Sequence, residues 1–237
     1  MMKTTFVAVF MLSLLVIGGF AGAADPAGTD HNWTGFYVGL NAGAAINDSS
    51  YAFAPNPPPG DTGSGNFNNA SFTAGGQAGY NYQINQFVIG LETDLNYNGI
   101  DQSGHINSPF TSTVTQKIDY FGTLRPRVGY LPTSKLLLYV TGGLAYGDVR
   151  SSSNILFTTP IFDNYIGSKS SMQVGWAAGG GIEYALSRNW SIKAEYLEVD
   201  LGSDSYSCSD GSPCGCSYRT DVKSLEGIAR LGINYKF

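Results

Sequence analysis

The stretch GIARLGINYKF, residues 227–237, alternates without interruption. In an extended chain Ala229, Leu231, Ile233, Tyr235 and Phe237 share one side, and Arg230, Gly232, Asn234 and Lys236 share the other. A period of two marks a β-strand with one apolar and one polar face. The run also stops on an aromatic ring, so the end of the strand coincides with a place that suits an amphipathic anchor.

The same pattern recurs seven times upstream. WTGFYVGLNAGAAI (33–46) aligns Phe36, Val38, Leu40 and Ala42, and SFTAGGQAGYNY (71–82) aligns Phe72, Ala74, Ala78, Tyr80 and Tyr82. QFVIGLETDLNY (86–97) sets Phe87, Ile89, Leu91 and Leu95 against Glu92 and Asp94. VTQKIDYFGTLRPRVGY (114–130) sets Ile118, Tyr120, Leu124, Val128 and Tyr130 against Lys117, Asp119, Arg125 and Arg127. KLLLYVTGGLAYG (135–147), SMQVGWAAGGGIEYAL (171–186) and NWSIKAEYLEV (189–199) complete the set. Period-two patterning over eight segments, with no helical period among them, predicts an all-β chain.

The links alternate in length. Three are hairpin-sized, around 83–85, 131–134 and 187–188. The other four, 47–70, 98–113, 148–170 and 200–220, are rich in Asn, Ser, Gly, Pro and Asp and read as exposed loops with little intrinsic order. Short and long links in strict alternation put all tight turns at one end of an antiparallel meander. The expectation is an eight-stranded up-and-down transmembrane β-barrel with short periplasmic turns and four long extracellular loops.

A soluble barrel would turn its apolar face inward, and three features argue for the inverted arrangement. Parity places Glu92, Asp94, Lys117, Asp119, Arg125, Arg127, Glu183, Lys193, Glu195, Glu226, Arg230 and Lys236 on the polar face, six acids and six bases. Such a balance suits an enclosed space, where an unpaired ion is costly. Gly39, Gly43, Gly75, Gly79, Gly90, Gly129, Gly143, Gly175, Gly179 and Gly181 share that face and relieve crowding in a lumen that has room only for side chains. Tyr80, Tyr82, Phe87, Tyr130, Tyr184, Trp190, Tyr235 and Phe237 fall on the apolar face beside the short turns, as one aromatic girdle at a lipid–water boundary. Phe237 then anchors the last strand at the periplasmic interface. Pro126, inside the fourth segment, implies a bulge or a lost ladder bond.

The N-terminus reads as an export signal. MMKT carries one basic residue, FVAVFMLSLLVIGGF is an apolar core, and Ala21 and Ala23 form a small-residue site, which predicts a signal peptide over 1–23 with cleavage after Ala23 or Ala24. Residues 24–32 follow as a short periplasmic tail and 33–237 as the barrel. The formal charge of -5 argues against nucleic acid as a partner. The three Cys all lie in SCSDGSPCGCS, and export permits a loop disulfide joining Cys208 to Cys214 or Cys216. No His stands near them, and no metal-ligand spacing, phosphate loop or dinucleotide fingerprint appears.

NWTGFYVGLNAG (32–43), GIEYAL (181–186), NWSIKAEYLEVDLG (189–202) and RLGINYKF (230–237) resemble the eight-stranded outer-membrane β-barrel family, related to the OmpA transmembrane domain and the opacity adhesins, and within it the porin-like outer-membrane immunogenic proteins. The resemblance implies a bacterial outer-membrane location in a Gram-negative cell. It also implies contact with lipid and lipopolysaccharide, insertion by the barrel-assembly machinery, and a surface-antigen or adhesin-like role with host or surface ligands. Haem enters as a cofactor through this resemblance alone, since some relatives bind haemin. The loop aromatics Tyr51, Phe53, Phe67, Phe110, Phe157, Phe162 and Tyr165 could contact haem or a host surface, or equally pack among themselves or against the barrel rim.

Catalysis is not expected. A nucleophile–base arrangement needs a well-placed His, and only His31 in the tail and His105 in a loop exist. The role expected from the residues is structural, with a lumen filled by charged side chains and loops displayed at the surface. A narrow porin-like channel, or haemin or host-ligand binding through the loops, stands as the alternative.

Overall fold

The computed structural model describes residues 31–56, 63–106, 111–157, 163–209 and 217–237. The expected signal peptide, nearly all of the tail, Cys214 and Cys216 lie outside the described residues. The same holds for the side chains of Cys208, His105 and the loop aromatics.

Eight strands occupy the described residues: β1 (Gly35–Asn56), β2 (Gly63–Ile84), β3 (Phe87–Ile106), β4 (Thr111–Thr133), β5 (Leu136–Phe157), β6 (Asp163–Ala185), β7 (Trp190–Ser209) and β8 (Ser217–Lys236). Each pairs antiparallel with its sequence neighbours, and β1 pairs with β8, so the sheet closes into a barrel. The closing register runs through Tyr37↔Lys236, Leu40↔Ile233 and Gly43↔Arg230. The chain end is fixed on both sides. Phe237 N donates to Phe36 O at 3.0 Å, and Lys236 N donates to Asn189 O at 2.7 Å.

The three tight turns share one end. Between β2 and β3 the chain reverses through Asn85, whose φ of 54° lies in the left-handed region that Asn tolerates. Between β6 and β7 the Ser187 hydroxyl accepts from the backbone N of Asn189 and Trp190, which closes that turn.

The strands are longer than the alternation suggests. The ladder runs through most of 47–70, 98–113, 148–170 and 200–220, with pairs as far out as Phe53↔Gly63, Ile106↔Ser112, Phe157↔Asp163 and Ser209↔Ser217. Alternation reports a face that must be buried, and a hairpin wet on both faces carries no such signal. At about 3.3 Å per residue and ~40° tilt, a strand of 22 residues rises about 55 Å, twice the ~25 Å apolar band of an outer-membrane barrel.

Two seams of the outer half are open. β2 and β3 pair from Ile84↔Phe87 to Thr73↔Asn98, and the ladder does not continue from 63–72 to 99–106. β6 and β7 pair from Ala185↔Ser191 to Trp176↔Asp200, and then only at Ile166↔Ser209. The turn-side half is therefore a closed cylinder, and the outer half is two four-stranded sheets, β3–β6 and β7–β8–β1–β2.

Pro126 breaks ladder bonds without a bulge. The β4–β5 pairing passes from Leu124↔Leu144 to Arg127↔Thr141 in register, and the Thr141 hydroxyl donates to Pro126 O at 2.9 Å. A bulge occurs nearer the outer end, where β4 advances from Ile118 to Phe121 while β5 advances only from Val149 to Gly147, and the register shifts again beside the turn between Tyr130 and Thr133.

Candidate functional site: the filled lumen

Outward faces are apolar and inward faces are polar along the turn-side half. Phe36, Leu40, Leu95, Val140, Leu144, Val174 and Leu231 all point away from the axis and are exposed. Inside, the charged side chains form one connected layer. Arg125, 0% exposed, sits at its centre. Its Nη2 reaches Glu92 Oε1 and Asp94 Oδ2, each at 2.9 Å, its Nη1 reaches Glu195 Oε1 at 3.4 Å, and its Nε donates to Thr123 Oγ1 at 2.9 Å.

The other three buried bases extend the layer around the wall. Arg230 bonds Glu195 Oε2 through Nε at 2.7 Å and Asp94 Oδ2 through Nη2 at 2.9 Å. Lys193 Nζ lies 2.9 and 3.0 Å from the two oxygens of Glu92. Arg127 bonds Glu183 Oε2 at 3.1 Å, Glu92 Oε2 at 3.4 Å and Asn81 Oδ1 at 2.9 Å. Its guanidinium carbon is 5.0 Å from the ring centres of both Tyr37 and Tyr139.

Neutral groups complete the satisfaction of these ions. Tyr37 donates to Glu92 at 2.7 Å and Tyr139 to Glu195 at 3.0 Å. Glu183 accepts from Ser191 at 2.6 Å and from Asn234 at 2.7 Å. Tyr37, Asn81, Glu92, Arg125, Tyr139, Glu183, Glu195 and Arg230 come from eight different strands. The layer therefore spans the whole cross-section. Four acids meet four bases, which is the condition for burying ions without a stranded charge.

Glycines make room for the two rings. A Cβ at Gly181 would lie 2.8 Å from the Tyr139 hydroxyl oxygen, and one at Gly79 would lie 2.5 Å from the ring of Tyr37. Cross-strand pairing brings each couple together, as Tyr37↔Gly79 and Tyr139↔Gly181.

Apolar tiers lie on both sides of the charges. Toward the outer half, Ala45, Ile118, Phe121, Ala145, Val149, Ala177, Leu197, Val199, Leu201 and Ile228 pack as one buried cluster. Toward the turns, Trp33, Val88, Leu131, Leu137, Tyr139 and Ala185 form a second. These tiers were missed in the sequence because the inward face was read as polar throughout. In β7 the signal is visible: Lys193 and Glu195 are followed on the same parity by Leu197, Val199 and Leu201.

Of the twelve charged positions expected inside, Glu92, Asp94, Arg125, Arg127, Glu183, Lys193, Glu195, Glu226 and Arg230 are buried. Glu226 stands apart from the layer. One oxygen accepts from Asn98 at 3.0 Å, and the other has no partner. Lys117 and Asp119 must be corrected. The β4 bulge reverses parity, so Ile118 turns inward, Lys117 lies on the outer surface and Asp119 bridges it to Arg150, at 3.5 and 3.4 Å. Lys236 lies at the turn-side rim, where its Nζ bonds Asn32 O.

Tyr80, Tyr82, Phe87, Tyr130, Tyr184, Trp190 and Phe237 are exposed on the outer surface near the turns, and Tyr235 is half-buried against Trp190 at 5.0 Å between ring centres. A second belt, not anticipated, holds Phe72, Tyr97, Tyr120, Tyr146 and Trp176. Phe87 and Tyr97 are ten residues apart on β3, and Tyr130 and Tyr120 are ten apart on β4. Ten residues at that tilt rise about 25 Å, the height of the hydrocarbon-facing band.

The comparisons with known proteins agree with this geometry. A family model described as the outer membrane protein beta-barrel domain matches residues 11–237. The 31 kDa outer-membrane immunogenic protein of Brucella melitensis is 36% identical over 224 residues, covering 92% of this chain and 88% of that protein. The 22 kDa outer membrane protein of Rhizobium leguminosarum is 33% identical over 214 residues, covering 90% and 80%. Among solved structures, OprG from Pseudomonas aeruginosa aligns with a TM-score of 0.59 at 15% identity, covering 89% of this chain and 99% of that one, a likeness of fold.

Proposed function

Because the chain belongs to the outer membrane protein β-barrel domain family and is a protein of the bacterial outer membrane, we propose that it acts as a sealed structural barrel which presents its outer strand ends at the cell surface. The observation that carries this reading is the ionic layer. Side chains from all eight strands meet across the lumen, and Arg125 and Arg230 each join Glu92, Asp94 and Glu195. A conduit would need that layer to part, and separating one member of such a network strands a buried charge at about 3–5 kcal/mol. Apolar tiers above and below add to the obstruction.

The outward apolar band between the two aromatic belts suits lipid acyl chains, and the belts suit the two interfaces. The outer half of the strands then stands clear of the membrane. The Brucella relative is named for its immunogenicity, and a projecting two-sheet head supports a similar surface exposure here. We assign no catalytic role to the barrel: His31 lies at the turn-side mouth, packed edge-on against Trp33.

Planar-bilayer recording of the purified chain tests the reading. The expected trace has no stable open level at neutral pH. A large, persistent conductance would sink the sealed-barrel proposal and favour a channel.

A further inference from the structure

The residues just before β1 fold back across the turn-side mouth and touch the β4–β5 and β6–β7 turns and the ends of β2 and β8. The indole N–H of Trp33 donates to Ser134 O, in the β4–β5 turn, at 3.1 Å. Its backbone N donates to Gln83 Oε1 at 2.9 Å, and Gln83 N donates to Thr34 Oγ1 at 3.0 Å, which ties the segment to the end of β2. Lys236 Nζ, at the end of β8, bonds Asn32 O. His31 engages the backbone of Ser187 in the β6–β7 turn. The Trp33 ring, 2% exposed, fills the apolar tier with Val88, Leu131, Leu137, Tyr139 and Ala185.

We propose that the periplasmic mouth is a docking site for the chain's own segment 31–34, and that protonation of His31 releases it.

His31 is the weak point of this stopper. It is 7% exposed, stacked edge-on against Trp33 at 4.7 Å between ring centres, and its Nδ1 has no partner. The charged groups facing it are Lys236 from β8, Lys135 from the β4–β5 turn and Glu183 from β6. Glu183 is already shared by Arg127, Ser191 and Asn234, so it is poorly placed to serve a fourth group. An imidazolium would thus be buried beside ammonium groups. Burial, and then the Lys236 ammonium, push the imidazole below its ordinary value of 6.5. The docked segment therefore holds fewer protons than the released one. Docking is at full strength above about pH 6.5 and weakens as the pH falls below it. Release leaves the ionic layer in place, so the periplasmic face changes while the lumen stays filled.

The test uses the full chain in detergent micelles with Trp176→Phe and Trp190→Phe, which leaves Trp33 as the single tryptophan, excited selectively beyond the tyrosine absorption. At pH 8 its emission should be blue-shifted and shielded from acrylamide. At pH 5 emission should move to the red and quenching should rise several-fold, while gel mobility still reports a folded barrel. With His31→Gln the shielding should persist at both pH values. Ready quenching at pH 8 would overturn the docking, and equal shielding at both pH values with His31 present would overturn the release. Acid release in the His31→Gln chain would place the trigger elsewhere and overturn its assignment to His31. If the Phe background does not refold, hydrogen exchange at the Trp33 and Gln83 amides of the unmodified chain gives the same decision, with protection at pH 8 and its loss at pH 5 expected.

Discussion

The two halves of this barrel obey different rules. In the turn-side half all eight seams are paired, the lumen is ionic and the exterior is apolar. In the outer half two seams lapse, between 63–72 and 99–106 and between 167–175 and 201–208. The boundary falls at the second aromatic belt, near Trp176 and Asp200. In the proposed membrane placement the surroundings below it offer no hydrogen bonds, so an unpaired N–H or C=O would be costly and the cylinder must close. Above it water can satisfy an open edge, and closure is no longer enforced. The belt thus marks where the solvent changes, and the ladder responds.

The largest effect expected from this contrast is at the ionic layer. Arg125→Met should lower unfolding stability by about 3–5 kcal/mol, because Glu92, Asp94 and Glu195 lose one of the buried cations they share. Urea titration in micelles measures it. A loss under about 1 kcal/mol would mean that water reaches the layer, and the contrast between halves would fail. Next in size is the difference along single strands. Within 172–175 of β6, amides directed at β5 should be protected from exchange, and those directed at β7 should exchange roughly a hundredfold faster. Uniform protection along β6 would close the seam and remove the two-sheet description.

Smaller again is the packing of the wall against its glycines. Gly181→Val places methyl groups where the Tyr139 hydroxyl and the Ala194 carbonyl already stand, at 2.8 and 2.5 Å from the Cβ position. About 1–3 kcal/mol of stability should be lost, since Tyr139 cannot move without leaving Glu195. The same substitution at Gly202, which has open space around it but a φ of 84°, would act through backbone strain instead. Comparing the two by thermal unfolding separates crowding from conformation.

Much of the turn-side half was legible in the sequence because its chemistry is enforced twice. Each strand there must be apolar outside and polar inside, so alternation from Phe87 to Leu95 or from Trp190 to Tyr196 fixes both element and facing. What escaped notice breaks that rule locally. Leu197, Val199 and Leu201 are apolar but inward, and Glu198 and Asp200 lie on the opposite parity, so the pattern inverts in the middle of β7. Ile118 and Lys117 change sides at a bulge, and one inserted residue leaves no mark in composition. In the sequence Trp33 reads as the start of a strand, although its neighbours in space, Leu131 and Leu137, are about a hundred residues away. The outer seams were out of reach for a simpler reason: strands wet on both faces lack a pattern to read.

The smallest effect is expected where an ion pair stands in water. Arg150 is bonded to Asp119 at 3.4 Å and Asp148 at 3.3 Å, a motif not unlike that of Arg125, but its side chain is 59% exposed. Register also places it directly across from Lys117, a like-charge pair that opposes the attraction of the two acids. Arg150→Gln removes both terms at once. Its net cost should lie within about 0–1 kcal/mol and shrink further with added salt, since exposed pairs are screened over about 10 Å at 0.1 M. Arg125→Met, measured in the same salt series, should show no such shrinkage. Two arginines with similar partners would then differ because one faces solvent and the other is enclosed, and a salt-dependent loss at Arg125 would erase that distinction.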